Sequence, residues 1–125
     1  MKFETMMLPR TRDYVAPDGS DVRLLVVLER GSMAHFEIGP GRSSSAVAHR
    51  TVEEMWFVLR GRGEMWRKQG DQEEVVSLEP GVSLSIPVGT RFQFRCVGDG
   101  ALEVVGVTMP PWPGADEAYE VQGLW

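Results

Sequence analysis

The fold is decided by the stretch AHRTVEEMWFVLRG, residues 48–61. It places Glu54 at the start of the apolar run Met55 to Leu59. A short run of this kind predicts a β-strand. Side chains alternate between the two faces of a strand, so Glu54, Trp56 and Val58 are expected to point the same way.

A second stretch, GVSLSIPVGTRFQFRC at residues 81–96, spaces glycine and proline in a recognisable way. Together the two stretches resemble the motifs of the small single-domain cupins. The first cupin motif runs His-x-His, three or four residues, Glu, six residues, Gly. The second runs Gly, five residues, Pro-x-Gly, two residues, His, three residues, Asn. Glu54 with Gly61, and the triplet at 87–89, fit these spacings. Over roughly Val22 to Thr108, the resemblance implies a cupin-type β-barrel, also called a double-stranded β-helix or jelly roll.

The metal-ligand positions of these motifs are mostly replaced. At most one motif histidine, His49, survives, and only if the gap before Glu54 is four residues. The other ligand positions hold Val47 (or, with the shorter gap, Ala48 and Arg50), Phe92 and Cys96. The resemblance therefore speaks for the fold more than for a function.

The rest of the sequence also favours short strands. The chain has 125 residues and a mass of 14.0 kDa, which suits a single domain. Apolar runs separated by glycine and proline occur at 22–28, 33–38, 55–59, 75–78, 82–86, 92–97 and 102–107. This spacing predicts an all-β sandwich or barrel. Gly61 and Gly63 predict a tight hairpin or bulge, and Gly70 with Asp71 predicts the next hairpin.

Both ends of the chain are predicted to be arms around a barrel at 22–108. Residues 1–21 form the N-terminal arm and lack clean alternation. Residues 109–125 form a proline-rich tail that carries Trp112 and Trp125. Large apolar rings need cover, so we expect Trp125 to pack on the outside of the barrel. For Trp112, packing outside and capping a barrel mouth or a partner subunit are equally expected.

Charge and composition narrow the partners. The chain has 13 Lys+Arg against 18 Asp+Glu, a formal charge of -5, and no basic stripe, so no nucleic-acid partner is expected. No membrane span and no secretion signal are apparent. The single cysteine, Cys96, excludes an intramolecular disulfide and suits a reducing compartment, so we expect a cytoplasmic protein.

The supply of histidine limits metal chemistry. A cupin metal site usually takes three histidines and one glutamate, whereas this chain has only His35 and His49. His49 and Glu54, with water in the other positions, make at most a weak site for a divalent metal. Alternation puts His35 on the less apolar face of its strand, so it is expected to point outward or into a polar pocket. We therefore expect no tightly bound cofactor.

The resemblance implies that His49 and Glu54 point into the barrel, which makes them the predicted catalytic residues. A carboxylate buried there has a raised pKa unless it is paired, which suits a general acid or base, and His49 would be the second proton-transfer group. Alternatively, Glu54 pairs with Arg50 or Arg91, and His49 and Glu54 are then ordinary residues of the barrel rim.

An aromatic pocket is predicted around this pair, with Phe92 and Phe94 on the same inward face. The predicted ligand-binding residues are Arg50, Trp56, Arg91, Phe92, Gln93 and Phe94. This composition suits an organic ligand with an apolar body and one anionic group. Two alternatives stay open: a register slip of one residue turns Arg91 and Gln93 inward, or the rings fill a small barrel completely.

Three functions are compatible with these features. The first is a small-molecule-binding cupin, an isomerase, epimerase or cyclase that uses His49 and Glu54 in acid-base chemistry. The second is an atypical metal-dependent cupin of dioxygenase or lyase type with a reduced ligand set. The third is a non-catalytic ligand-binding or sensor module. A homodimer is expected, through the run at 23–28 and the terminal arms.

Overall fold

The computed structural model describes residues 2–125, and the regular secondary structure of this part of the chain is almost entirely β-strand. The strands are β1 Tyr14–Val15, β2 Asp21–Leu28, β3 Gly31–Ile38, β4 Val47–His49, β5 Glu53–Arg60, β6 Gly63–Gln69, β7 Gln72–Leu78, β8 Ser83–Ile86, β9 Arg91–Cys96, β10 Leu102–Met109 and β11 Ala118–Glu120. A short 3-10 turn covers Ala115–Glu117. No helix within 2–125 is long and apolar enough to cross a membrane. The predicted all-β class is confirmed.

The strands form two antiparallel sheets that pack face to face. The six-stranded sheet has the order β1-β2-β3-β10-β5-β8, and the five-stranded sheet has the order β11-β4-β9-β6-β7. The core between them takes side chains from both sheets, such as Val58 and Val104 from one and Met65 and Phe94 from the other. This is the jelly-roll barrel that the motifs predict.

Alternation along the strands fixes which side chains face the core. On β5, Glu54, Trp56 and Val58 are buried, while the residues between them are exposed. On β9, Phe92 and Phe94 belong to the core cluster. The aromatic face of β9 therefore points inward, and the slipped register is excluded.

A tight hairpin or a bulge is predicted around Gly61, and the connection after β5 is not a hairpin, although the pairing of β5 with β10 does shift in register at Glu103 and Val104. β5 pairs with β8 and β10, whereas β6 pairs with β7 and β9, so the chain crosses from one sheet to the other at 61–62. Gly61 has a φ of 86°, and a Cβ there would collide with the backbone of Ala101, so this crossing requires glycine. The hairpin predicted at Gly70 and Asp71 does join β6 to β7.

Both arms contribute a strand to a sheet. β1 pairs with β2, which begins at Asp21, and β11 pairs with β4. The end of the tail is held by Gln93, whose Nε2 donates to the backbone oxygens of Ser44 and Trp125 at 2.8 and 3.0 Å. The Oε1 of Gln93 accepts from the last two backbone N–H groups. Trp125 packs on the outside of the barrel, with its ring centroid 4.1 Å from the Arg95 guanidinium.

Candidate functional site

A cavity of about 760 Å³ lies between the sheets, at the place where both arms cross the barrel. Its walls are mostly apolar and include Phe36, Trp56 and Phe92 from the sheets. The arms close it with residues 14–18 and 111–115. The barrel is therefore not packed solid, and its interior has room for a small organic molecule.

Glu54 is buried in the wall of this cavity. Its Oε2 accepts a hydrogen bond of 2.9 Å from Trp56 Nε1, two residues along the same face of β5. Gly106 on β10 leaves space for the carboxyl group, because a Cβ at that position would lie 2.7 Å from Oε2. Burial raises the pKa of Glu54 to about 8; the Trp56 hydrogen bond opposes this rise, and the nearby Asp18 adds to it. Glu54 is therefore protonated at neutral pH.

His49, the last residue of β4, faces Glu54. Its Nδ1 lies 3.7 Å from Glu54 Oε1, which is too long for a hydrogen bond, and finds no other partner. The ring packs edge-on between Phe92 and Trp112, at centroid distances of 5.2 and 5.1 Å. Burial lowers the pKa of His49 to about 4, although the charge of Glu117 opposes this.

At neutral pH this pair therefore consists of a carboxylic acid and a neutral imidazole. The opposite assignment, carboxylate beside imidazolium, would bury two charges, which costs more than the mutual attraction returns unless further hydrogen bonds satisfy both ions. His49 and Glu54 thus offer a proton acceptor and a proton donor side by side. The structure brings together the two residues that the sequence singles out for catalysis.

The predicted aromatic residues divide into two layers. Trp56 and Phe92 line the cavity directly. Phe94 stands behind Trp56, with its ring edge-on at a centroid distance of 4.9 Å. Phe36, which the sequence analysis did not name, lines the cavity and stacks on Trp56 at 5.9 Å.

The predicted polar contacts are not brought to the cavity. Arg50 and Arg91 are exposed and lie outside the lining, and the Arg50 guanidinium sits 4.7 Å from the Tyr119 ring centroid. The amide of Gln93 is occupied by the tail. Within the described residues the lining contains no lysine or arginine. The partner expected for an anionic ligand is therefore missing from the cavity lining.

One residue missed by the sequence analysis is Asp18, in the N-terminal arm. Asp18 lines the cavity, and its Oδ1 accepts hydrogen bonds from the backbone N–H and hydroxyl of Ser20 at 2.9 and 2.7 Å. Burial raises the pKa of Asp18, while the Ser20 hydrogen bonds oppose the rise. The segment Pro17-Asp18-Gly19 carries a turn signature, which predicts a turn but not the cavity it faces.

A second missed residue, Glu117, fixes the tail over the cavity. Its carboxylate accepts hydrogen bonds from the backbone N–H groups of Thr51 and Val52 at 2.6 and 3.2 Å, and one from the Thr51 hydroxyl. Burial alone would raise the pKa of Glu117, but these hydrogen bonds outweigh it and hold the pKa below its ordinary value. By tying the 3-10 turn to the loop after β4, Glu117 helps to hold Trp112 against His49, so Trp112 caps the cavity.

The barrel interior does not fit the usual cupin metal site. His49 and Glu54 are two donors, but Val47 and Phe92, which occupy two other ligand positions of the motifs, are buried apolar residues. A divalent transition metal needs several nitrogen or oxygen donors that converge on one point. We therefore derive no chemistry through a metal in this cavity.

Residues able to bind a divalent metal do lie together elsewhere. Within 2–125, three candidate ligand residues with atoms inside 4.8 Å of one another occur only at His35, Glu37 and Glu103. Their side chains alternate with the inward-facing ones, so they lie on the outer face of the six-stranded sheet. His35 Nε2 is 2.9 Å from Glu103 Oε1, and both carboxylates also pair with arginine, Arg23 at 3.2 Å and Arg60 at 3.7 Å. His35 is thus buried in a polar cluster away from the cavity.

A family model described as Cupin domain matches residues 34–108. The chain belongs to the cupin family. The uncharacterized protein MJ1618 of Methanocaldococcus jannaschii is 26% identical to this cupin over 121 residues, which cover 93% of this chain and 94% of that protein.

Solved structures of larger proteins share the barrel. Oxalate decarboxylase from Bacillus subtilis gives a TM-score of 0.74 at 14% identity, over 88% of this cupin and 30% of that chain. The capsular polysaccharide assembling protein CapF from Staphylococcus aureus gives a TM-score of 0.69 at 18% identity, over 86% of this cupin and 33% of that chain. CapF has also been solved with the inhibitor 3-isopropenyl-tropolone. BH2720 from Bacillus halodurans gives a TM-score of 0.68 at 19% identity, over 86% of this cupin and 80% of that chain. This cupin spans only about a third of the first two chains, and at these identities the likeness shows the fold alone.

Proposed function

We propose that this cupin binds a small organic molecule in the barrel cavity and moves a proton on it, as an isomerase, epimerase or cyclase. The observation that supports this most is the buried pair of Glu54 and His49, whose facing atoms lie 3.7 Å apart in the cavity wall. Glu54 gives a proton to one atom of the substrate while His49 removes one from a neighbouring atom. The proton on His49 then passes back to Glu54, whose facing oxygen is 3.7 Å away, and this restores the pair. Such paired transfer is the usual work of a general acid and a general base. CapF, which shares this fold over 32% of its chain, has been solved with a small-molecule inhibitor, and this supports the small-molecule part of the proposal.

The pKa values define the pH range of this mechanism. Glu54 holds its proton below a pH of about 8, and His49 is neutral above a pH of about 4. The rate is therefore expected to form a plateau between these two values and to fall on either side.

Deuterium exchange tests the proposal without knowledge of the natural substrate. A panel of small hydroxycarbonyl and aminocarbonyl compounds is incubated with the protein in deuterated water, and loss of the proton next to the carbonyl is followed by proton NMR. The wild-type protein is expected to accelerate exchange for at least one compound. Glu54→Gln should slow that exchange by about a hundredfold or more.

The matched control is Glu53→Gln, since Glu53 precedes Glu54 and is exposed on the outer face of β5. This control should leave the rate unchanged. Equal rates in the wild-type protein and Glu54→Gln would contradict the proposed role. If a compound shifts the Trp56 indole NMR signal and no compound exchanges, the non-catalytic binding module is the better description.

We retain the homodimer and the cytoplasm as proposals. The outer face of β5 exposes Met55, Phe57 and Leu59, with 51, 48 and 46% of their surface accessible. A stripe of this kind favours association through a second copy. Light scattering during gel filtration should give the mass of a dimer, and Phe57→Asp should reduce it to that of a monomer. Cys96 is free and buried, which suits a reducing compartment.

A further inference from the structure

The ionisable groups that line the cavity are acidic or neutral. Within residues 2–125 the lining offers the carboxyl groups of Asp18 and Glu54, the imidazole of His49 and the Tyr14 hydroxyl, but no lysine or arginine. Burial raises the pKa of both carboxyl groups, and each lacks the cation that would reverse this. A positive charge brought into the cavity would meet carboxyl groups without a cationic partner among mostly apolar walls, where charge-charge attraction is stronger than in water.

Asp18 has a free oxygen for such a charge. Its Oδ1 is held by the two hydrogen bonds from Ser20, and its backbone oxygen accepts one from the N–H of Ser45 at 2.7 Å. Oδ2 accepts no hydrogen bond from any residue in 2–125. The carboxyl group is thus oriented by its own turn and keeps one acceptor for a ligand.

The cavity wall also suits the body of a cationic molecule. Phe36, Trp56, Phe92 and Trp112 all line it. The face of an aromatic ring carries partial negative charge, so rings attract cations as well as apolar groups. Aromatic walls with an acidic group and no basic one therefore favour a positively charged ligand over a negatively charged one.

We propose that this cavity selects a small organic cation, an amine or quaternary ammonium compound with an apolar body, whose nitrogen pairs with Asp18. The body of the ligand lies against the aromatic rings, and its other end faces Glu54 and His49. The inference rests on the proposed function in one respect only, that the cavity binds a small molecule. The proposed ligand has the opposite charge to the anionic ligand that the sequence predicted from Arg50 and Arg91.

Three probes of matched shape test the charge preference: 2-phenylethylamine as the cation, 2-phenylethanol as the neutral analogue and phenylacetate as the anion. Dissociation constants are measured at neutral pH from shifts of the Trp56 and Trp112 indole N–H signals in NMR titrations. The amine is expected to bind on the order of tenfold more tightly than the alcohol, as for one charged hydrogen bond, and phenylacetate most weakly.

The variant Asp18→Asn tests how much the Asp18 carboxyl group contributes to the preference for the amine. Asparagine keeps an oxygen for Ser20, so the turn should persist, and thermal unfolding checks that it does. The variant should lose the preference for the amine while its affinity for the alcohol is retained. Asp71→Asn is the control, because Asp71 is exposed in the β6–β7 turn and the same replacement is made there away from the cavity.

Each outcome decides one part of the proposal. An alcohol that binds as well as the amine, or an acid that binds best, would overturn the cation inference and leave the proposed binding function standing. An amine preference that survives Asp18→Asn would overturn the role of Asp18. If none of the three probes shifts either indole signal at millimolar concentration, cavity binding itself fails, and the cation inference fails with it.

Discussion

The replacement Glu54→Gln should reveal how strongly the fold opposes ionisation of Glu54. The pKa of this group is about 8 in the folded protein and 4.5 in its ordinary environment. Between these values the folded state keeps a proton that the unfolded chain releases, so stability falls as pH rises through this range. Glutamine cannot ionise, so the variant does not lose stability in this way. The difference in the free energy of unfolding should grow by about 1.4 kcal/mol per pH unit, to about 5 kcal/mol.

The assay is urea unfolding of both proteins at intervals from pH 4 to pH 9, followed by tryptophan fluorescence. The variant minus wild-type difference should be flat below about pH 4.5, rise to about pH 8 and then level off. Asp18 and Glu117 titrate in both proteins, so their contributions largely cancel in the difference. Glu53→Gln, an exposed neighbour, should give a flat difference throughout. A flat difference for Glu54→Gln would refute the claim that a buried, protonated carboxyl group faces the cavity.

The wild-type curve itself has a predicted shape, because His49 works in the opposite direction. Its pKa is lowered from 6.5 to about 4, so the folded state lacks a proton that the unfolded chain binds, and stability rises with pH over this range. The two slopes oppose each other between about pH 4.5 and 6.5. The net loss in the free energy of unfolding that His49 and Glu54 cause together is therefore about 2 kcal/mol and is confined to pH 6.5 to 8.

Three further substitutions test separate features of the structure. Gly106→Ala should destabilise the protein by about 1–3 kcal/mol in urea unfolding, because its Cβ would lie 2.7 Å from both Glu54 Oε2 and the Phe36 ring; an unchanged midpoint would contradict this packing. Gln93→Leu should cost about 3 kcal/mol and make the tail sensitive to carboxypeptidase, since the apolar side chain makes none of the hydrogen bonds that hold Trp125. His49→Ala should leave the divalent metal content unchanged, as measured by mass spectrometry on protein purified without chelator or histidine tag; loss of metal in this variant would restore the metal-dependent alternative.

The sequence could predict the barrel and the inward direction of Glu54 and His49 because both depend on short-range patterns. Motif spacing places Glu54 at the start of β5, and alternation then carries Trp56 to the same face. The same reasoning places Phe92 inward on β9. Once the register of these strands is set, the direction of each side chain follows. His49 follows from the same motif, since it precedes Glu54 across a short loop.

Two of the predicted ligand-binding residues, Arg50 and Gln93, lie outside the cavity lining for a different reason. Arg50 and Gln93 lie next to inward-facing residues, so their direction depended on the register and on what covered the outer face. That cover comes from the tail, through Tyr119 against Arg50 and Trp125 against Gln93. The tail reaches these strands from the far end of the chain. Contacts of this kind leave no local pattern in the sequence.

Asp18 lies in the predicted N-terminal arm, yet it lines the cavity of the barrel, which the division into barrel and arms did not predict. Its turn signature predicts where the chain reverses between β1 and β2. The cavity it faces also needs pairings distant in sequence, of β3 with β10 and of β4 with β11. β3 carries Phe36 into the same cavity, and the tail closes it with Trp112. The strands of 22–108 supply the proposed proton-transfer pair. The arms supply the carboxyl group proposed to select by charge and the Trp112 ring that packs against His49. If the cavity binds a ligand as proposed, the functional unit is the barrel with both arms, and loss of either arm should impair ligand selection even where the barrel itself still folds.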